Sequence, residues 1–145
     1  KEIDVLEKEG LKVKTVSDYN ALGNLIAINS NYAIASVLLN KKTLSVISKY
    51  FNVTTKQEAI AGTDVPGSAL YVNEDLFVVN PNIQEKDFEN YTKKFKVPGK
   101  AQTINYGDTF VGNDIIGNKF VTIVGRNTST AELIKLDELI VDFSD

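Results

Sequence analysis

The chain has 145 residues, a mass of 16.0 kDa, a net charge of −3 and a sequence pI near 5.0; 43% of it is hydrophobic and 24% charged. That is enough apolar material for one folded domain and too much for a disordered chain. Cysteine and histidine are absent and Arg126 is the only arginine, which excludes disulfides, thiolate metal sites, Cys nucleophiles and His bases, and leaves little for a grip on nucleic-acid phosphates.

In chain order, "KEIDVLEKEG" (1–10) places Ile3 and Leu6 at helical spacing and ends on Gly10, which suits a left-handed helix cap. "LKVKTV" (11–16) reads as a strand. "ALGNLIAIN" (21–29) reads as a buried strand opened by a Gly-Asn dipeptide. The turn Asn29-Ser30-Asn31 follows, then the strand "YAIASVL" (32–38). Asn40 opens a helix over 41–51 with Leu44, Ile47 and Phe51 on one face.

The same order then returns. "TKQEAIAG" (55–62) and "VPGSALYVN" (65–73) read as strands, Asn73-Glu74-Asp75 as a turn and "LFVVN" (76–80) as a strand. Asn80-Pro81 breaks the chain before a helix over 86–95 that aligns Phe88, Tyr91 and Phe95. It returns again in "AQTINYG" (101–107), "FVGNDIIGN" (110–118), the turn Gly117-Asn118-Lys119 and "FVTIV" (120–124). "STAE" (129–132) is a capping box, in which Ser129 and Glu132 satisfy each other's amides at a helix start. The helix after it aligns Leu133, Leu136 and Ile140.

Gly23, Gly67 and Gly112 stand 44 and 45 residues apart, each followed by Asn or Ser and, six positions on, by Asn29, Asn73 or Asn118. Self-similarity at this period marks a repeat architecture. The expected organisation is one repeat domain over 1–145: the last helix of a preceding repeat (1–10), then strand-strand-strand-helix units over 11–51, 52–96 and 97–145. A chain that opens on an orphan helix is out of register with its own period, which predicts an N-terminal portion lying outside this sequence.

Three stretches carry a resemblance: "SDYNALGNLIAIN", "VPGSALYVN" and "YGDTFVGNDIIGNKFVTIVGRNTSTAELIKLDELI". In order and spacing they resemble archaeal and eukaryotic translation initiation factor 6. Asn127 and Ser129 stand where that family commonly has Asp and Thr. The resemblance covers nearly the whole chain and implies a pentein-type α/β propeller, five pseudo-symmetric repeats in a closed ring, of which this chain supplies the last three and the helix before them. An incomplete ring would leave blade edges open to self-association.

By the same resemblance the function is occupancy, not catalysis. It implies binding to the large ribosomal subunit on the face that meets the small one, a block on subunit joining and a part in large-subunit biogenesis. The implied partner is a ribosomal protein beside the sarcin–ricin loop with limited rRNA contact, in the cytoplasm and, in a eukaryote, the nucleolus and nucleus. No cofactor, metal, membrane or DNA is expected. The acidic balance and single arginine agree with docking mainly on a basic protein. Enzymes of the same fold class use Cys and His, which this chain lacks, and the carboxylate pairs Glu74–Asp75 and Glu58/Asp64 read as loop and turn residues.

Gly23, Gly67 and Gly112 are expected to serve the backbone, through positive φ or close approach between repeats. Asn24, Ser68 and Asn113, at equivalent places, are candidate ribosome contacts, with Tyr19 and Asn20 beside the first. The competing reading is a pentein-like repeat scaffold for association with other proteins or with itself.

Overall fold

The computed structural model describes residues 2–141. Lys1 and residues 142–145, which the expected first helix and third repeat include, lie outside the described residues. Helix α1 (Glu2–Lys8) opens the chain and Gly10 follows it at φ +81°, the left-handed position that favours glycine. In the first repeat, the four-residue helical turn α2 (Leu22–Leu25) leads directly into β1 (Ile26–Ile28). Strand β2 (Tyr32–Ala35), helix α3 (Lys41–Phe51) and β3 (Thr54–Gln57) follow. The second repeat has α4 (Pro66–Ala69), β4 (Leu70–Val72), β5 (Phe77–Val79), α5 (Glu85–Phe95) and β6 (Gly99–Ala101). The third has a 3-10 turn (Val111–Asn113), β7 (Ile115–Gly117), β8 (Thr122–Val124) and α6 (Thr130–Val141).

The sheets are small and none closes on itself. β1 pairs antiparallel with β2, and β2 pairs in parallel with β3; β4, β5 and β6 repeat that order and sense; β7 and β8 form an antiparallel pair. The strand that completes each three-stranded sheet comes after the helix, at the start of what the sequence reads as the next unit. The units therefore overlap by one strand, which ties each repeat to the next through backbone hydrogen bonds.

Three strand expectations fail. In "AQTINYG" only Ala101 lies in a strand, the end of β6, because Asn105, Tyr106 and Gly107 all take left-handed backbone and turn the chain. The glycines sit in helical turns before the strands, not in strands: Gly23 in α2, Gly67 in α4 and Gly112 in the 3-10 turn. A strand-like residue pattern is overridden there by the need to bring backbones together, described below. Leu11–Val16 is not a strand either, since no strand among the described residues lies alongside it to share its hydrogen bonds.

The turns behave as the sequence implies. Asn29 Oδ1 accepts from the amides of Asn31 and Tyr32 at 3.0 and 3.1 Å, Asn73 Oδ1 from Asp75 and Leu76 at 2.9 Å each, and Asn118 Oδ1 from Phe120 and Val121 at 2.9 and 3.1 Å. One Asn closes each hairpin by mimicking a backbone carbonyl. Asn40 caps α3 by accepting from the Thr43 amide at 2.9 Å.

The core is made between repeats. β5 is buried on both faces: Phe77 and Val79 join Tyr32, Ile34, Leu70, Tyr91 and Phe95 on one side, while Val78 joins Ile104, Val111, Ile115 and Leu136 on the other. Successive strand residues point to opposite faces, so the second repeat is held by both neighbours. A third cluster of Leu25, Ala35, Leu39 and Ile47 lies within the first repeat. The helix faces are only partly covered. Phe88, Tyr91 and Phe95 pack into the core, but Phe51, Leu133 and Ile140 of the other two expected faces are exposed. These faces belong to the first and last repeats of this sequence, each of which packs against one other repeat among the described residues.

Candidate functional site

The three helical turns stack on one another where the repeats meet. A Cβ built on Gly67 would fall inside the contact distance of the Gly23 carbonyl oxygen and 2.7 Å from that of Ile26. One built on Gly112 would overlap the Gly67 carbonyl and come within 3.0 Å of that of Ser68. Neither glycine has a positive φ, so of the two roles the sequence allowed, close approach is the one realised. Each repeat rests a carbonyl on the bare Cα of the next.

The five candidate contact residues fall into two groups. Tyr19 (44% exposed), Asn20 and Asn24 are exposed and close in sequence around Ala21, whose φ of 55° reverses the chain into α2. Their approach is pinned by Asp18, whose carboxylate accepts from the Asn40 amide at 2.8 Å. Asn113 is exposed on the outer side of the third turn. Ser68 is only 4% exposed. It sits in the middle turn, packed by α2 on one side and the 3-10 turn on the other, and its side chain is enclosed between repeats. Equivalent sequence positions do not give equivalent burial, because among the described residues only the middle turn is packed by another turn on each side.

Sequence reading found the capping box but not its reach. Glu132 is 7% exposed. It accepts from the Ser129 amide and hydroxyl at 2.8 Å each, from Thr103 Oγ1 at 2.7 Å, and from the amides of Tyr106 and Gly107 at 3.1 and 2.9 Å. Burial opposes ionisation, but the Ser129 amide, the Thr103 hydroxyl, the Gly107 amide and the Ser129 hydroxyl outweigh it and hold the carboxyl down at about 2. Asn105 sits in the same node, accepting from the Asn127 amide and donating to Asp114. The two segments carrying Tyr106 and Asn127 are thereby locked together. The consecutive left-handed residues Asn105 and Tyr106 have no clear signature in the sequence.

One member of each carboxylate pair holds the fold together. Glu74 accepts from the Ser30 amide at 2.9 Å and from the Ser30 hydroxyl, joining the turns of the first two repeats. Glu58 pairs with Lys56. Burial first, then the Glu58 carboxylate, pushes the Tyr91 phenol up, which keeps it neutral in the core. Among the described residues no group of three or more Asp or Glu side chains is arranged to hold a metal ion, and no helix is long and apolar enough to cross a membrane.

A mixed α/β chain that repeats one sheet-and-helix unit and joins its units through glycine contacts has the form of a repeat protein. Comparison with known proteins gives the family. The eIF-6 family matches residues 1–139, and the chain belongs to it. Translation initiation factor 6 of Pyrococcus horikoshii is 30% identical over 138 residues, covering 93% of this chain and 61% of that protein. Eukaryotic translation initiation factor 6 of Trypanosoma cruzi is 27% identical over 132 residues, 90% of this chain and 53% of that one. The Saccharomyces cerevisiae protein of the same name is 26% identical over 132 residues, 90% and 54%. The chain thus spans little more than half the length of these curated relatives. They are named translation initiation factors, which places the family in protein synthesis and indicates no catalytic activity.

Proposed function

We propose that this chain forms three repeats of a pentein-like domain that binds the large ribosomal subunit on its intersubunit face and hinders joining by the small subunit. In that reading it also takes part in large-subunit biogenesis, in the cytoplasm and, in a eukaryotic cell, the nucleolus. Membership of the eIF-6 family over residues 1–139 carries the reading. Two features support it. With 19 acidic groups against 16 basic ones and a single arginine, a protein patch on the subunit is the favoured dock over bare RNA phosphates. The exposed trio Tyr19, Asn20 and Asn24 offers aromatic and amide groups of the kind found at such interfaces, with Asn113 as an outlying contact.

Co-sedimentation with purified large subunits tests this. Stoichiometric binding and loss of small-subunit joining on sucrose gradients are expected; a chain of native circular dichroism that binds no subunits sinks the reading. Asn24→Lys is expected to weaken binding about tenfold or more, the effect of a central interface residue, with the melting temperature unchanged because Asn24 is exposed. Unchanged affinity removes Asn24 from the contact.

A further inference from the structure

We infer that the cleft at the start of α3 binds a phosphate group, and that the phosphate it takes is one of an RNA backbone. The choice of RNA rests on the ribosomal reading above; the phosphate site itself does not.

The cleft encloses about 450 Å³ and is lined by Lys14, Thr15, Ser17, Asn40, Lys42 and Thr43. It lies between the segment that follows α1 and the first turn of an 11-residue helix. Two cations and three hydroxyls meet there, and no carboxylate lines it among the described residues. Neither Lys14 nor Lys42 makes an ion pair among those residues.

The first amides of a helix have no acceptor within it. Asn40 Oδ1 takes the Thr43 amide at 2.9 Å, which leaves those of Lys41 and Lys42. A helix start is partly positive, and acidic side chains relieve it. α1, α5 and α6 each carry acids in the first turn, whereas α3 carries none and opens on two lysines. The carboxylate of Asp18 is engaged with the Asn40 amide at 2.8 Å, one residue earlier. Positive charge at the start of α3 is therefore left over, and a phosphate is the group that such a helix end accepts.

Thr43 points to the same ligand independently. It is 4% exposed, yet its hydroxyl makes no hydrogen bond among the described residues. Thr92 of α5 donates to the carbonyl four residues back, that of Phe88, at 3.2 Å. The matching carbonyl for Thr43 is that of Leu39, which Gln57 Nε2 already occupies at 2.8 Å. A buried hydroxyl without a partner is costly. That of Thr55 is sealed in the interior, but that of Thr43 is not, and Thr43 lines the cleft. A phosphate oxygen beside the Lys41 and Lys42 amides would complete it.

Neighbouring repeats do not cover this place. The second repeat packs against a repeat on each side. Its equivalents of Thr15, Asn40, Lys42 and Thr43, 44 residues on, are Ala59, Gln84, Lys86 and Asp87, and all four are exposed. The residue types favour a backbone diester. A phosphomonoester with two charges is usually gripped by the forked guanidinium of arginine, and the cleft offers lysines and hydroxyls instead. In a chain of net charge −3 such a contact is local, adding to a protein dock without replacing it.

Amide NMR of the 145-residue chain, titrated at low salt with a short unstructured RNA, tests this. The Lys41 and Lys42 amides are expected to shift. Lys14→Ala with Lys42→Ala should weaken binding about tenfold and lower the slope of log affinity against log salt by about 0.7 for each lysine. Thr43→Val keeps the shape and should weaken binding about tenfold, the effect of a hydrogen bond to a charged group, with the melting temperature unchanged because the hydroxyl holds nothing in the fold. Lys135→Ala, exposed on α6, should leave binding as it is. RNA that does not shift the two amides overturns the inference, as does an equal loss in Lys135→Ala or a lower melting temperature with unchanged binding in Thr43→Val. A phosphoserine peptide that binds here more tightly than RNA overturns the choice of RNA. A chain that co-sediments with large subunits but shows no RNA shifts keeps the ribosomal reading and loses this one; RNA shifts without subunit binding do the reverse.

Discussion

Replacing Gly67 with alanine isolates the contact on which the stacking of repeats depends. The added Cβ would stand 2.7 Å from the Ile26 oxygen and nearer still to that of Gly23, where ordinary contact begins at 3.4 Å. The first two repeats must therefore separate by about 0.7 Å at this point merely to clear the more distant oxygen. Both obstacles are backbone carbonyls, held by β1 and α2, and no rotamer change relieves them. Overpacking of this kind costs about 1–3 kcal/mol. The helical turn returns less than about 1 kcal/mol of that, because alanine is the better helix former. A net loss of about 2 kcal/mol is expected, which for a chain of this size lowers the melting temperature by roughly 6 °C. Gly112→Ala should act in the same direction, since it meets the Gly67 and Ser68 carbonyls. Gly23→Ala is the internal control: its Cβ meets nothing, and in dilute solution its melting temperature should hold or rise slightly. Thermal unfolding followed by circular dichroism decides the matter. Three variants melting within about a degree of wild type would refute the view that bare glycine backbone is what lets the repeats approach.

The polar nodes give further expectations. Glu132→Gln keeps the shape but removes the charge that five donors address, and should cost about 2 kcal/mol in chemical denaturation, the range for hydrogen bonds to a charged group. The same residue sets an acid limit. Its folded carboxyl titrates at about 2 against 4.5 ordinarily; a depressed value stabilises the fold above the unfolded pKa, and that stability is lost as pH falls from about 5 toward 2. The loss should be blunted in Glu132→Gln, and an identical acid transition in the two proteins would count against the node. Asn29→Ala should cost about 2 kcal/mol by urea titration, because Asn29 is buried and its Nδ2 also donates to the Asn73 and Phe95 carbonyls at 3.2 and 3.0 Å. Asn118→Ala, exposed and closing only its own turn, should cost under about 1 kcal/mol; equal costs would mean that the bridge from Asn29 to the second repeat contributes nothing.

What the sequence made legible divides along a physical line. Features fixed within a few residues were readable. The Asn turns, the Asn40 cap, the Ser129–Glu132 box and the helices over 41–51 and 86–95 depend on hydrogen bonds and apolar spacing within one element. Features fixed between repeats were not. The segments "ALGN" and "VPGS" run into β-branched and apolar residues and so read as strands, yet they form helical turns, because a turn is what brings the Gly67 Cα against the Gly23 carbonyl. Nothing local announces that contact; only the recurrence of glycine at 44 and 45 residues does.

The candidate site fails in the same way where it fails. Asn24, Ser68 and Asn113 share a position in the repeat, and an argument from repetition assigns them one role. Burial separates them, because among the described residues the middle turn is packed on both sides and the other two on one. The same asymmetry explains Leu133 and Ile140. Their spacing matches that of Phe88 and Phe95, but Phe95 is covered by Tyr32 of the repeat before and Phe88 by Phe77 of its own three-stranded sheet, whereas the sheet beside α6 has two strands among the described residues. A helix face has the apolar pattern its place in the repeat requires, and the cover for that face comes from the next unit. Exposed apolar residues at α6 and β8 are thus not errors of patterning. The same apolar pattern recurs in every repeat, and which copy of it is covered among the described residues follows from the three-dimensional order of the repeats.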